Sequence, residues 1–365
     1  MPVRVWGFNS PLAHPGSLTV FDSASVPPPC DTGRVKRLVI ATAVFALAVT
    51  TTAIGPASGA PVPKKELNLY AGTKPASAAM GTVTEHTLRT ADGHTRSYRL
   101  FVPVGRSSRA PLLVALHGGL GSGLQFEINS GFDGLATANG FIVAYPDGVT
   151  RSTDGSGEAR TWNGGKCCGP AVTRNVDDVA FLRAVVKDVA MSQSVDRSRV
   201  YAVGHSNGGI MALRLACEAS DVFAAVGAQS ASLELETCAP RRPVSAMQIH
   251  GTADTNVPLA GGKGSGVANF SFSPPRKAAQ TLAKVDGCRA RPAQVRDAAN
   301  RDLVLSRWRS CPPGIAVEFL AVEGAGHAWM GHAAQSPWAD EYMGPPYMRL
   351  DSSRALWAFV SAHSR

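Results

Sequence analysis

Charged residues are scarce in this sequence, and neither basic clusters nor metal-ligand spacings stand out. Only 17% of the 365 residues are charged and 44% are hydrophobic, a composition that argues against global disorder and allows a sizeable core. The formal net charge is +9, but the arginines are scattered and no nucleic-acid-binding motif is present. No Cys/His spacing supports a metal site. We therefore expect no metal, no cofactor and no nucleic-acid partner.

The sequence also contains no internal repeat and no sign of a second folded domain. Its length suffices for one large or two small domains. Continuous apolar runs alternate with stretches of helical pattern, which predicts a mostly parallel α/β sheet flanked by helices. We predict a linker over residues 61–81 and a single catalytic domain over residues 82–365.

The N-terminus has the pattern of an export signal preceded by a dispensable extension. Residues 34–37 are basic, residues 38–54 are apolar, and residues 57–60 are the small residues of a cleavage site. A membrane anchor is the alternative, but the apolar run is short, rich in threonine and broken by Gly55-Pro56. We expect residues 1–60 to be removed, leaving an extracellular protein without a stable membrane span.

The cysteine count indicates disulfide bonds. One of the seven cysteines lies in the predicted extension, and an even number in an exported chain favours bridges. Proximity in sequence favours two pairs, and leaves an adjacent pair as either a vicinal bridge or free thiols. These candidates are Cys217 with Cys238, Cys288 with Cys311, and the adjacent Cys167 and Cys168.

A serine lies in a tight turn between a predicted strand and a predicted helix. The turn, residues 204–208, has the pattern Gly-x-Ser-x-Gly centred on Ser206. Such a turn strains the serine backbone and exposes its Oγ, and a side chain at either glycine would collide with neighbouring backbone. The alternative is a glycine-rich turn that merely contains a serine. The flanking strand and helix favour a nucleophile.

The partners of a serine nucleophile should follow it in the order acid, then histidine, each on a loop after a strand. Asp254 follows one predicted strand, and His327 follows the last one. His250 and His332 compete for the role of base, and Asp177 competes for the role of acid. Chain order favours Asp254 as the acid, and its position at a strand end favours His327 as the base. An imidazole is suited to this role because it can take up and release a proton near neutral pH.

Two backbone N–H groups are predicted to form an oxyanion hole, those of Asn207 and Gly119. Asn207 follows the serine, and Gly119 lies in the glycine-rich loop after the first buried strand. Trp162, Trp329 and His117 are our candidates for substrate contacts. Simple core packing is the alternative for the two tryptophans, and an ordinary turn is the alternative for the loop of His117.

Six segments, in order, resemble the secreted esterase family that contains bacterial polyhydroxybutyrate depolymerases and feruloyl or acetylxylan esterases. The resemblance covers roughly residues 82–362. The segments are Leu116-His117-Gly118-Gly119, Trp162-Asn163-Gly164-Gly165-Lys166-Cys167-Cys168-Gly169-Pro170, Val176-Asp177-Asp178-Val179, Gly204-His205-Ser206-Asn207-Gly208-Gly209, His250-Gly251-Thr252-Ala253-Asp254 and Gly324-Ala325-Gly326-His327-Ala328-Trp329.

The resemblance implies an α/β-hydrolase fold and a catalytic triad of Ser206, Asp254 and His327. It also implies hydrolysis of a small or oligomeric ester through an acyl-enzyme, with oxyanion donors at Asn207 and Gly119. Relatives that degrade polymers often have cysteine at the position of Gly119, and some carry binding domains that have no counterpart here, which favours soluble esters. A serine peptidase of the prolyl oligopeptidase kind and a catalytically silent binding protein are the alternatives.

Overall fold

The computed structural model describes residues 67–91, 93–152, 159–289, 291–333 and 337–365. The predicted extension and signal, residues 1–60, and the first part of the predicted linker lie outside the described residues. The described strands are β1 Gly81–Arg89, β2 Thr95–Pro103, β3 Ala110–Leu116, β4 Ile142–Pro146, β5 Val195–His205, β6 Ala225–Gln229, β7 Ser245–Gly251, β8 Gly262–Lys263, β9 Ser271–Phe272, β10 Ala293–Arg296, β11 Leu303–Arg307 and β12 Val317–Val322.

One mixed sheet with a parallel centre organises this part of the chain. Its strand order is β1-β2-β4-β3-β5-β6-β7-β12-β11-β10, and β8 and β9 pair separately. The run from β4 to β12 pairs in parallel, whereas β1, β2, β11 and β10 add antiparallel edges. This arrangement confirms the predicted α/β class.

Helices pack on both faces of the sheet. Alternate residues of β3 belong to different apolar clusters, Leu112 and Val114 to one and Leu113 and Ala115 to the other. Since side chains alternate between the faces of a strand, a strand covered on both faces needs a continuous apolar sequence. The described helices are α1 Gly123–Ser130, α2 Phe132–Asn139, α3 Gly169–Thr173, α4 Asp178–Ser192, α5 Asn207–Glu218, α6 Pro275–Val285, α7 Pro337–Met343 and α8 Ser352–Ser361.

Part of the predicted linker is anchored on the domain. Tyr70 accepts a hydrogen bond at its hydroxyl from the Asp351 N–H, at 3.0 Å, and the Arg354 guanidinium lies 4.6 Å from its ring centroid. Leu67 and Leu69 pack against the same apolar cluster as α8. Residues 67–80 therefore differ from a free linker. Their few apolar side chains have no helical or strand period, so this contact could not be predicted from the sequence.

The six cysteines considered above are all in disulfide bonds. Cys217 pairs with Cys238 and Cys288 pairs with Cys311, as proximity favours. The remaining adjacent pair forms a vicinal bridge and not free thiols. Within the described ranges, no helix has both the length and the apolar character to cross a bilayer.

Candidate active site

The serine turn connects β5 to α5. Ser206 has φ 52° and ψ −121°, a backbone conformation that costs free energy in any residue with a side chain. A Cβ at Gly204 would overlap the backbone of Gly208, and a Cβ at Gly208 would overlap the carbonyls of β3 and His117. The two glycines are thus required by close backbone contacts. The turn holds the Ser206 hydroxyl at the carboxyl edge of the parallel strands.

The imidazole of His327 lies between the serine and a carboxylate. Its Nε2 is 2.9 Å from the Ser206 Oγ, and its Nδ1 is 2.8 and 3.0 Å from the two carboxylate oxygens of Asp254. The loop after β12 is fixed by the His327 N–H, which donates to the Met343 carbonyl at 3.0 Å. Because Asp254 accepts from Nδ1–H, the Nε2 lone pair faces the serine hydroxyl.

Asp254 follows β7 and is held as a carboxylate. Its Oδ1 accepts hydrogen bonds from the N–H groups of Asn256 at 3.0 Å and Val257 at 2.9 Å. Burial acts to raise the pKa of Asp254, but the charge and hydrogen bond of His327, followed by smaller contributions from His250 and Val257, lower it to about 2. The carboxylate is therefore ionised at neutral pH and able to stabilise an imidazolium.

The two predicted oxyanion donors lie beside the serine. Asn207 is the first residue of α5, where backbone N–H groups have no acceptor within the helix. A Cβ at Gly119 would be 3.6 Å from the Asn207 Cβ, and a Cβ at Gly118 would be 3.5 Å from the Ser206 Cβ. The glycine-rich loop after β3 thus approaches the start of α5. The positive end of the helix dipole points to the same place.

Trp162 and His117, two of the predicted substrate contacts, are both fully buried. The Trp162 Nε1–H donates to the His117 carbonyl at 3.0 Å, and the two rings lie 4.9 Å apart. The His117 Nε2 accepts from the Gly148 N–H at 2.9 Å. Burial lowers the pKa of His117 to about 4, so the ring is neutral at pH 7 and can accept this bond. Both side chains pack beneath the glycine-rich loop after β3.

Trp329, the third predicted substrate contact, is also buried in the core. It is 1% exposed, and its Nε1–H donates to the Ser353 Oγ at 3.0 Å. Its ring packs edge-on against Phe126, with centroids 5.2 Å apart. Trp329 is only two residues after His327 in the sequence, but its indole points toward α1 and α8.

One buried carboxylate near the site has a role that the sequence did not indicate. Asp178 is fully buried and accepts hydrogen bonds from the Arg96 guanidinium and the Asn163 N–H, both at 2.7 Å. Asp177 is the cap, since it accepts from the Ala180 N–H at 2.9 Å. The sequence does not show which of two adjacent aspartates caps the helix and which is buried, because this depends on which side chain faces the core in the fold.

Three other histidines, including the two that competed for the role of base, have other partners. The His205 Nε2–H donates to the His327 carbonyl at 2.8 Å, and burial lowers the pKa of His205 to about 3. The His250 Nε2–H donates to the Val257 carbonyl at 2.9 Å. His332 lies 3.5 Å from Asp351 at the start of α8. In the described part of the chain, no three side chains of His, Cys, Asp or Glu are grouped to hold a metal ion.

Comparison with known proteins gives one family. Residues 96–264 match the family model of the Esterase PHB depolymerase. The chain is 32% identical over 256 residues to the putative esterase NocK of Nocardia uniformis subsp. tsuyamanensis, which covers 66% of this chain and 72% of that protein. It is 33% identical over 226 residues to feruloyl esterase B of Piromyces equi.

That second match covers 60% of this chain and 40% of the Piromyces esterase, so the chain spans less than half of that relative's length. Among solved structures, the acetyl xylan esterase from Aspergillus awamori is similar with a TM-score of 0.51 and 16% sequence identity. The similarity covers 68% of this chain and 94% of that one. It confirms the α/β-hydrolase fold.

Proposed function

The chain belongs to the Esterase PHB depolymerase family, and from this premise we propose that it is a carboxylic ester hydrolase that works through a serine acyl-enzyme. One observation carries the proposal: Ser206, His327 and Asp254 form a continuous hydrogen-bonded line, with 2.9 Å and 2.8 Å between successive partners. That geometry is what an activated serine nucleophile requires.

In the proposed reaction, the Ser206 Oγ attacks the ester carbonyl while the His327 Nε2 takes its proton. The carbonyl electrons move onto the oxygen, and the N–H groups of Asn207 and Gly119 stabilise the resulting oxyanion. Collapse of the tetrahedral intermediate breaks the bond to the leaving alcohol, which receives the proton from His327. Water then repeats the sequence on the acyl-enzyme, releases the acid and restores Ser206, while Asp254 fixes the imidazole throughout.

We propose a small or oligomeric ester as the substrate. The proteins similar to this chain are named as a feruloyl esterase, a bifunctional acetylxylan esterase/xylanase and a poly(3-hydroxyalkanoate) depolymerase, so the shared chemistry is an ester of a carboxylic acid.

The test is hydrolysis of p-nitrophenyl acetate by the wild type, by Ser206→Ala and by the control Ser192→Ala at an exposed position on α4. We expect Ser206→Ala to lose at least about 10³-fold in kcat and to lose labelling by a fluorophosphonate, and the control to keep both. Turnover by Ser206→Ala at the wild-type rate would refute the mechanism. Cleavage of peptide anilides but not esters would indicate a peptidase instead.

We also propose export, with the mature chain beginning near Pro61 as a single catalytic domain. Support comes from the basic, apolar and small-residue order of residues 34–60 and from the three disulfide bonds, which persist in oxidising compartments. N-terminal sequencing of secreted material tests this. Detection of residues before Lys36 would refute it.

A further inference from the structure

A groove of about 700 Å³ lies between the loop after β3, the helix α1 and the edge strands β1 and β2. Its apolar lining consists of Leu120, Leu124 and Ile128, which are 36%, 48% and 59% exposed. Leu124 and Ile128 are four residues apart on α1, so they share one face of the helix. Large apolar side chains that are exposed together mark a binding surface more often than scattered ones do.

The loop after β3 links the groove to the candidate active site. Leu120 directly follows Gly119, a proposed oxyanion donor, and has a left-handed backbone with φ 67°. Its N–H donates to the Arg160 carbonyl at 2.8 Å, and Gly121 forms an isolated antiparallel bridge with the same residue. The loop is therefore fixed in place, with its first residues beside Ser206 and its last residues on the groove.

The charges of the lining are compensated within the protein. Arg99 contacts Glu127 at 2.6 Å and Glu85 at 2.5 Å. Arg160 lies 3.4 Å from Asp147. Because both arginines of the lining already have carboxylate partners, an anionic ligand would have to displace one of them at an electrostatic cost. The groove thus favours a neutral occupant.

The lining also favours an aliphatic occupant over a sugar ring. Tyr98, the tyrosine of the lining, is fully buried, stacks on His86 and donates from its hydroxyl to Asp188 at 2.5 Å. Its ring is therefore not available as a stacking platform. Flexible leucine and isoleucine side chains suit a chain of methylene and methyl groups. The volume lies within the range of small-molecule sites, roughly 300–1,000 Å³.

We infer that this groove binds the neutral aliphatic arm of the ester, on one side of the scissile carbonyl, and that Leu120, Leu124 and Ile128 select for longer aliphatic chains. The inference rests on the proposed function, since it assigns an extended subsite to the hydrolysis by Ser206. Each methylene buried in the groove should raise kcat/KM by about fourfold at most, because its transfer from water is favourable.

The experiment measures kcat/KM for two series, p-nitrophenyl esters from acetate to hexanoate and alkyl acetates from ethyl to hexyl. The proteins compared are the wild type, Leu124→Ser, Ile128→Ser and the control Met191→Ser, an apolar residue on α4 that is 69% exposed and outside the groove. In one of the two series, we expect the ratio of long-chain to short-chain kcat/KM to fall about three- to tenfold in the two groove variants. The fall should come from a higher KM for the long-chain esters. The control should keep the wild-type ratio.

The series that responds identifies which arm, acyl or alcohol, lies in the groove. Ratios that stay at the wild-type value in both series, with all variants folded by thermal unfolding, would overturn the inference while leaving the esterase proposal intact. If the groove variants lost activity on a feruloyl sugar ester but kept the wild-type ratio in both aliphatic series, the aliphatic assignment would be wrong. A wild-type protein that cleaves neither series overturns the proposed function and the subsite together.

Discussion

The side chain of Asn207 and the backbone of Trp162 exchange two hydrogen bonds. The Trp162 N–H donates to the Asn207 Oδ1 at 2.7 Å, and the Asn207 Nδ2 donates to the Trp162 carbonyl at 3.0 Å. Trp162 in turn donates from its indole to the His117 carbonyl. One buried amide thus joins the start of α5, the tryptophan loop and the loop of Gly119, so the positions of both proposed oxyanion donors depend on it.

We predict that Asn207→Ala lowers both stability and turnover. The substitution keeps the backbone N–H of residue 207 but leaves two buried polar groups of Trp162 without these partners, at a cost of about 1–3 kcal/mol in the free energy of unfolding. A shift of the oxyanion loop should lower kcat by roughly tenfold to a hundredfold with a smaller change in KM. Urea unfolding and the kinetics of p-nitrophenyl acetate hydrolysis measure these effects.

Asn139→Ala is the matched control, because Asn139 exchanges two similar hydrogen bonds with Lys74 at the end of α2. We expect this variant to lose stability and keep kcat. If Asn207→Ala likewise kept kcat, the link between this side chain and the oxyanion hole would be wrong.

A second prediction uses the backbone of Ser206. At φ 52° and ψ −121°, glycine has no steric penalty, whereas alanine has the same penalty as serine. The free energy of unfolding of Ser206→Gly should therefore be about 1 kcal/mol higher than that of Ser206→Ala. This figure already allows for the larger entropy that glycine has in the unfolded chain. Both variants should be inactive. Equal stability of the two variants, measured in urea, would mean that the turn stores no strain.

The central strands of the sheet were predictable because a strand that is buried on both faces has a continuous apolar sequence. The strand of Leu112 and Leu113 needs apolar residues at every position, and the run is unmistakable. The edge strand Ala293–Arg296 has half-exposed and exposed side chains, so its sequence resembles a loop. The same holds for α1, whose exposed Leu124 and Ile128 blur the period of a helix packed on one side.

The placement of the three central side chains was predictable from chain order, since parallel strands end at one edge of the sheet. The environment of the surrounding aromatic residues was not. Whether Trp162 faces a pocket or the core depends on Asn207, 45 residues away, and on His117. A sequence indicates that a tryptophan lies near a motif, but not which way its indole turns.

We predict that Asp254→Asn lowers kcat by roughly 10⁴-fold with little change in KM, because an amide leaves the imidazole in the wrong tautomer. The pKa of Asp254 is lowered to about 2, below its unfolded value of about 3.9. Its contribution to stability is therefore present above pH 4 and is lost as the pH falls toward 2. Acid unfolding of the variant should show a weaker pH dependence in that range. An unchanged dependence would contradict the assigned pKa.

The carboxyl group of Asp286 should give the opposite dependence of stability on pH. Asp286 follows α6, is 1% exposed, and accepts one hydrogen bond, from the Val244 N–H at 3.1 Å. Its Oδ2 has no hydrogen-bond partner among the described residues. Burial raises the pKa of Asp286 to about 7, and the bond from Val244 only partly opposes this. The folded protein therefore binds a proton here at pH values where the unfolded chain does not.

Since the folded pKa exceeds the unfolded one, the free energy of unfolding should fall as the pH rises from about 4 to about 7. Asp286→Asn keeps the acceptor for Val244 without the charge. Its gain in stability over the wild type should be larger at pH 8 than at pH 5 by about 2–3 kcal/mol, as measured by urea unfolding. Asp340→Asn, at an exposed position, makes the same change in net charge. If both variants differed from the wild type by equal amounts at the two pH values, Asp286 would not be the buried acid that its contacts indicate.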